Sequence, residues 1–251
     1  MRSSVLNGPS PEFTEVLLVQ PSDAEGLRLR TALVSAPKVE VINELTDARA
    51  AVDAAAQLDP HVVLLRVELS NVIDNRVLGA LRDIAPQARI LLHAFVAPVA
   101  APGRRRWIGR LIDRVVATHD APMLEARLEL AGDPASVPLA RSLLAQLLGQ
   151  WEMEDFVDLA ELLITELVAN AIRHVPGACA VELTRCDDAL HIAVIDSGAG
   201  MPDLQNPGIS AFGGRGLHIV AALSDAWGTD RLEDGSKAVW AQLKAPLKEG
   251  E

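Results

Sequence analysis

The sequence predicts a two-part chain: an α/β doubly wound parallel sheet, followed by an α+β two-layer sandwich. Three observations predict it. Short apolar runs alternate with amphipathic helical patterns through residues 15–131. The alternation stops at Ala131-Gly-Asp-Pro-Ala-Ser136, the one linker-like stretch. Beyond it, two consecutive helical patterns precede paired strands. A length of 251 residues leaves room for two cores.

Element by element, residues 15–20 (EVLLVQ) form a strand, and Ser22 caps a helix running to about residue 35. Residues 38–43 form a second strand, followed by an Ala-rich helix over 47–58. Residues 61–66 (HVVLLR) are a continuous apolar run, the mark of a strand buried on both faces. A helix near 72–84, a strand over 89–93 and a helix within 104–111 come next. A strand near 114–118 and a last helix around 122–131 complete five strand–helix repeats.

In the second part, residues 137–151 and 155–174 are helices. Residues 180–185 and 191–196 are strands on either side of a turn at Asp187-Asp188. A Gly/Pro-rich loop spans 197–214 and a helix covers 216–226. Strands near 227–231 and 238–243 surround a turn at Asp234-Gly235. The predicted organisation is a flexible terminus over 1–14, a first domain over 15–131, a linker at 132–136, a second domain over 137–246 and a tail over 247–251.

Composition narrows the function. Hydrophobic residues are 49% and charged residues 23%, which excludes wholesale disorder. Aromatics are 3% with no Tyr, so the cores are aliphatic, and the composition argues against a stacking platform for single-stranded nucleic acid. The net charge of −11 divides as −1 over residues 1–132 and −10 over 133–251. So acidic a second half repels polyanions and argues against direct nucleic-acid binding. The most apolar stretch, residues 90–102, is short and broken by Pro98, so it does not span a bilayer. Glu12 and Glu15 interrupt any signal-peptide pattern, and Cys179 and Cys186 read as two reduced thiols of a cytoplasmic protein.

The chemistry gathers in the second part. The helix over 155–174 is apolar nearly all round, yet Glu166, Asn170 and His174 recur at i, i+4 and i+8 along one edge. That edge either faces water or lines a site, because burying a carboxylate and an amide without partners costs several kcal/mol (roughly 2–7 for the amide alone). Asp196 ends a strand, with the parity of Ile192 and Val194 that puts it on the core side. Ser197-Gly-Ala-Gly200 follows, and bare backbone at Gly198 and Gly200 admits a ligand closely. A carboxylate there suits an exocyclic amine. Phe212-Gly-Gly-Arg-Gly-Leu217 opens a helix whose N-terminal N–H groups favour phosphate.

The order Glu166-Leu-Val-Ala-Asn170, Asp196-Ser-Gly-Ala-Gly200, Gly213-Gly-Arg-Gly216-Leu resembles the N, G1 and G2 boxes of Bergerat-fold ATPases, over about residues 133–246. With Ala171 and His174 after the first motif and Gly-Ser-Lys-Ala-Val-Trp at 235–240, it looks most like anti-sigma-factor serine kinases, the small ATP-binding regulators of actinobacteria. The resemblance implies ATP and Mg²⁺ as cofactors. It implies that Asn170 holds Mg²⁺ on the triphosphate and Asp196 accepts from the adenine amino group. Gly198, Gly200, Gly214, Gly216 and Leu217 would line the pocket and its lid, and Glu166 would be the general base toward a serine hydroxyl or water. His174 would support the phosphate side. Arg215 and the more distant Lys237 are the cationic candidates for the γ-phosphate, and nothing in the sequence fixes which of them, if either, meets it.

The alternation of residues 15–131 resembles response-regulator receiver domains with their chemistry lost. Where the family places an acidic pair after the first strand, this chain has Gln20, Pro21 and Ser22, with Asp23 nearby. Leu65-Arg66 stands at the phosphoacceptor position, His93 at the hydroxyl position, and Thr118 or His119 at the lysine position. An arginine cannot form an acyl phosphate, so a pseudo-receiver is expected. Arg104, Arg105, Arg106, Arg110 and Arg114 form a basic run that is either a solvated face or a docking face, for a homodimer or for the acidic second part.

The leading functional expectation is a cytoplasmic bacterial regulator. It would phosphorylate Ser or Thr on an anti-anti-sigma-like or sigma-factor-like protein. The alternative is a non-catalytic, ATP-dependent protein-binding switch or a pseudo-receiver scaffold. A histidine autokinase is disfavoured, because residues 137–151 contain no histidine to accept phosphate.

Overall fold

The computed structural model describes residues 13–68, 75–95, 108, 112, 115, 124–175, 177–186, 188–198 and 215–245. Strand β1 (Thr14–Val19) leads to α1 (Ala24–Ser35), β2 (Val39–Leu45), α2 (Ala50–Leu58), β3 (Val62–Glu68), α3 (Asn75–Ile84) and β4 (Arg89–Phe95). Leu17, Leu18, Val63, Leu64 and Leu65 are fully buried, as continuous apolar runs covered on both faces require. Asp23, not Ser22, caps α1: its Oδ1 accepts from the Gly26 N–H at 2.6 Å.

The fifth strand differs from expectation. β5 is Leu124–Leu130, where the sequence predicted a helix over 122–131. Val115, inside the predicted strand near 114–118, is helical; the other residues of that strand lie outside the described residues. Ile108, Ile112 and Val115 are all helical, and they pack at helical spacing against the face of β1, β3 and β4 that also carries α1. In β5, Ala126, Leu128 and Leu130 face one apolar cluster, while Glu125, Arg127 and Glu129 alternate with them. Period two is the strand signature, and it overrides the expectation of a fifth helix.

The rest follows the predicted order. α4 (Ser136–Gln150), a 3₁₀ turn (Glu154–Phe156) and α5 (Val157–His174) precede β6 (Cys179–Cys186) and β7 (Ala189–Asp196). Then come α6 (Arg215–Leu223), β8 (Ala226–Arg231) and β9 (Lys237–Lys244). Residues 131–136, predicted as a linker, form a tight strand-to-helix connection. In it Ser136 Oγ donates to the Ala131 carbonyl at 2.6 Å, and the Ala135 N–H donates to Asp133 Oδ1 at 2.8 Å.

The strands join into one nine-stranded sheet of order β2-β1-β3-β4-β5-β6-β7-β9-β8. The first five are parallel in the 2-1-3-4-5 order of doubly wound folds, and the last four form an antiparallel sheet under α4, α5 and α6. β5 belongs to both, parallel to β4 and antiparallel to β6. One apolar cluster spans the join, with Leu65, Leu81 and Leu92 from the first part and Leu144, Leu163 and Leu167 from the second. On the opposite face of the seam, Arg89 meets Glu125 at 3.0 Å, and Arg127 meets Glu129 at 2.7 Å as well as Glu182. A one-residue slip would turn these charges into the apolar face, so they fix the register.

Candidate functional site

α5 presents the expected polar edge. Glu166 and Asn170 are half-buried, whereas His174 is exposed in the last turn. The helix buries Ala160, Leu163, Ile164, Leu167, Val168 and Ala171 against the sheet, which fixes its rotation and hence the edge it turns away from the core. Glu166 reaches the start of α6: a Cβ built on Gly216 would lie 2.7 Å from its Oε2. A side chain at Gly216 would therefore have to displace the Glu166 carboxylate, which sits where a helix N-terminus favours negative charge. Leu217 turns toward the main apolar cluster.

Asp196 is the last residue of β7 and is buried on the helix-covered face with Ile192 and Val194. Its Oδ1 accepts from the Gly198 N–H at 2.8 Å, an Asx turn that locks the carboxylate at the sheet's end. A Cβ on Gly198 would fall 2.4 Å from Val175 Cγ2 and 2.9 Å from Asp196 Oδ1, so this glycine is sterically required. Val175 directly follows α5, and the contact brings the end of the polar edge beside the Asp196 turn. The buried Asp196 carboxylate also acts on Cys179. Burial first, then the charges of Asp196 and Glu129, push its thiol up to about 12, so this free cysteine is an inert thiol at neutral pH.

Lys237, the more distant cationic candidate for the γ-phosphate, has its Nζ 3.4 Å from Asp196 Oδ1, and both side chains are at most 5% exposed. It opens β9 directly opposite Asp196 in the β7–β9 ladder, on the face of Val239, Ala241 and Leu243. That parity was readable from residues 237–243; the pairing of β9 with β7 was not. Gly200 and Gly214 lie outside the described residues, as do Arg104, Arg105, Arg106, Arg110 and Arg114. Arg215 is the first residue of α6.

The residues present suit a nucleotide. A Cβ at Gly198 would clash with Val175 and the fixed Asp196 carboxylate, and one at Gly216 would meet the Glu166 carboxylate. Asn170 offers an amide oxygen one helical turn from Glu166, the hard oxygen donor that Mg²⁺ prefers. Among the described residues no three His, Cys, Asp or Glu side chains gather as a metal cage.

The first part has a different centre. At the carboxyl ends of β1 and β3, Arg66 is fully buried, and its Nη1 donates to both oxygens of Asp23 at 3.0 Å. Glu25 stands 3.5 Å from its Nη2. Burial alone would raise the Asp23 carboxyl, but the Gly26 N–H and the Arg66 guanidinium outweigh it and hold the group below its ordinary value. Gln20 donates to the Gly26 carbonyl at 3.0 Å and to Glu44 at 2.9 Å. An arginine thus fills the crevice at the β1/β3 switch point, where doubly wound sheets otherwise take ligands. His93 is buried one strand over, opposite Arg66. Thr118 and His119 lie outside the described residues.

Residues 130–243 match the family of histidine kinase-like ATPase domains, from the last residue of β5 to within β9. Among curated proteins none matches the chain. Among solved structures it is similar to the response regulator domain of Thermotoga maritima CheB, 18% identical over 41% of this chain and 93% of that one, with a TM-score of 0.35. It is similar also to the signal receiver domain of NarL from Mycobacterium tuberculosis, 19% identical over 43% and 100%, with a TM-score of 0.34. A third is the signal receiver domain of a modulated diguanylate cyclase from Desulfovibrio desulfuricans G20, 19% identical over 55% and 96%, at 0.30.

Proposed function

We propose that this chain is a bacterial regulator that binds Mg·ATP through its second half and phosphorylates a serine or threonine of a small partner, similar to an anti-anti-sigma factor or a sigma factor. The observation that carries the reading is the placement of Glu166. Its carboxylate stands against Gly216 at the start of α6, one turn from Asn170 on the same helix edge. The match of residues 130–243 to histidine kinase-like ATPase domains supports nucleotide as the ligand.

In this reading Asn170 would hold Mg²⁺ through its amide oxygen, and Asp196 would accept from the adenine amine. Backbone at Gly198 and Gly216 would let the nucleotide lie close. Bound Mg·ATP supplies the phosphoryl group. Glu166 takes the proton of the incoming hydroxyl, and α5 keeps the carboxylate in place because its opposite side is packed into the sheet. The reading places the protein in the cytoplasm. No helix of the described residues is long and apolar enough to cross a membrane.

The test is ATP turnover by the full chain, with water and with small candidate partners as acceptors. Glu166→Ala should lower turnover by about 10²–10⁴-fold while leaving ATP affinity unchanged. Turnover that survives the substitution rejects Glu166 as the base. Partner binding that needs ATP but shows no turnover in wild type would replace the kinase by a non-catalytic switch.

A further inference from the structure

The edge of α5 that carries Glu166 does not begin there. Leu159 and Leu162 precede the glutamate at i−7 and i−4, so both leucines, Glu166 and Asn170 form one stripe along the helix. Leu159 is 39% exposed and Leu162 52%, while Leu163 beside it is fully buried. α6 runs antiparallel to α5. It starts with Gly216 against Glu166 and ends where β8 opens opposite Gln242, towards the beginning of β7. α5 instead ends at Val175 against Gly198, just past the last residue of β7. One turn from the meeting point, Leu162 and Ile219 therefore stand level on the two helices. Ile219 is 36% exposed, and its neighbour Val220 is fully buried. The two helices thus wall a shallow apolar groove that leads up to the Glu166 carboxylate.

One exposed leucine means little, but three large aliphatic side chains along a groove beside a carboxylate mark a contact surface. The charge around it selects the occupant. Glu154, Asp155 and Asp158 are exposed where α5 begins, and no ion pair among the described residues engages them. Glu161 is already paired with Arg141 of α4 at 2.9 Å. Residues 133–251 carry a net −10, so an anionic membrane or a nucleic acid is repelled, and so is the same face of a second copy. What fits is a helix with aliphatic side chains on one face and Lys or Arg along its margins.

We propose that the groove between α5 and α6 docks a basic amphipathic helix of the partner protein. Its aliphatic face would cover Leu159, Leu162 and Ile219, and its cations would meet Asp155 and Asp158. The inference deepens the kinase reading and rests on it in one respect, that the docked partner is the phosphoryl acceptor. A helix laid along the stripe points one end at Glu166, where the acceptor hydroxyl has to arrive.

The experiment is fluorescence anisotropy on the full chain with two labelled amphipathic peptides of leucine, alanine and one serine. One has lysine margins, the other glutamate margins. Wild type should bind the lysine peptide about 10-fold or more tightly than the glutamate peptide. Leu162→Gln and Ile219→Gln should each weaken it about 5–10-fold, as expected of side chains at the centre of an interface. Asp155→Asn combined with Asp158→Asn should weaken it too and flatten its dependence on salt. All four side chains are exposed, so the fold should hold, which matching thermal midpoints check. ATP affinity and turnover with water should stay at the wild-type level in every variant.

Unchanged peptide affinity in Leu162→Gln and Ile219→Gln would overturn the proposal, as would equal binding of the two peptides or binding of neither. Self-association that disappears in Leu162→Gln would give the groove to a second copy and overturn it as well. The assay needs no nucleotide. Groove-dependent binding of the lysine peptide by a chain without ATP turnover would keep the docking surface and reject the kinase reading alone.

Discussion

His93 is a buried imidazole between two arginines on neighbouring strands, Arg66 of β3 and Arg127 of β5. Burial first, then the charges of Arg127 and Arg66, hold its pKa well below the ordinary histidine value. Unfolding returns it to about 6.5. The folded state therefore binds fewer protons below that pH, and stability must fall as pH drops through it. Above about 6.5 the imidazole is neutral in both states and contributes no slope. Between about pH 6.5 and 5, wild type should lose up to about 1.4 kcal/mol per pH unit relative to His93→Leu. Asp23, whose pKa is depressed, keeps its contribution until far more acidic pH and does not confuse that window. Urea midpoints measured for both proteins across the window decide the matter; parallel curves would show that His93 does not titrate on unfolding. Arg66 and His93 were legible as departures from a receiver pattern. That Arg66 reaches back to Asp23 and Glu25 was not, because the ion pairs join residues over 40 positions apart in the sequence.

At the scale of elements, β5 carries the main lesson. Leu124-Glu-Ala-Arg-Leu-Glu-Leu130 alternates plainly, yet counting five strand–helix repeats assigned it to a helix. The alternation matters because both neighbours use it. On one face Leu128 and Leu130 enter the shared core, and on the other Arg127 sits between Glu129 and Glu182. Arg127 is 13% exposed, and although burial, the largest influence, pulls the other way, its two carboxylates hold its pKa above the ordinary value. Arg127→Ala should cost about 3–5 kcal/mol, since it leaves buried carboxylates without their cation. Arg141→Ala breaks the surface pair with Glu161 on α4 and α5 and should cost about 1 kcal/mol or less. Chemical denaturation measures both; equal costs would mean that the β5–β6 seam is wet and that the register is held by the apolar face alone. The site helices, by contrast, were legible almost to their ends. α5 shows its polar edge against an apolar body, and glycines mark the start of α6. What the sequence withheld was the company each residue keeps: Lys237 on Asp196 depends on a ladder between strands 41 residues apart, and Gly216 on Glu166 depends on two helices meeting.

Over the whole molecule, the two parts share a sheet rather than meeting across a flexible connection. β5 hydrogen-bonds to both, the apolar cluster runs through the join, and Arg82 of α3 reaches the Gln150 carbonyl and Glu152 after α4 at 3.3 Å. An interface this apolar and continuous does not open cheaply, so the halves should unfold together. That has a consequence for ligand binding. At 100 times its dissociation constant, Mg·ATP would stabilise the folded state by about 2.7 kcal/mol. Spread over a unit of this size, the gain is a rise of roughly 5–10 °C in one transition. Calorimetry should show a single endotherm that moves with Mg·ATP in wild type and does not move in Asp196→Asn. Hydrogen exchange should slow in β1 and β3 as well as in β7 and β9, although β1 lies five strands from β7 in the sheet order. Two endotherms, of which nucleotide shifts only one, would mean that the β4–β5 seam opens independently. In that case the buried arginine of the first part and the nucleotide site of the second would share a sheet without sharing stability.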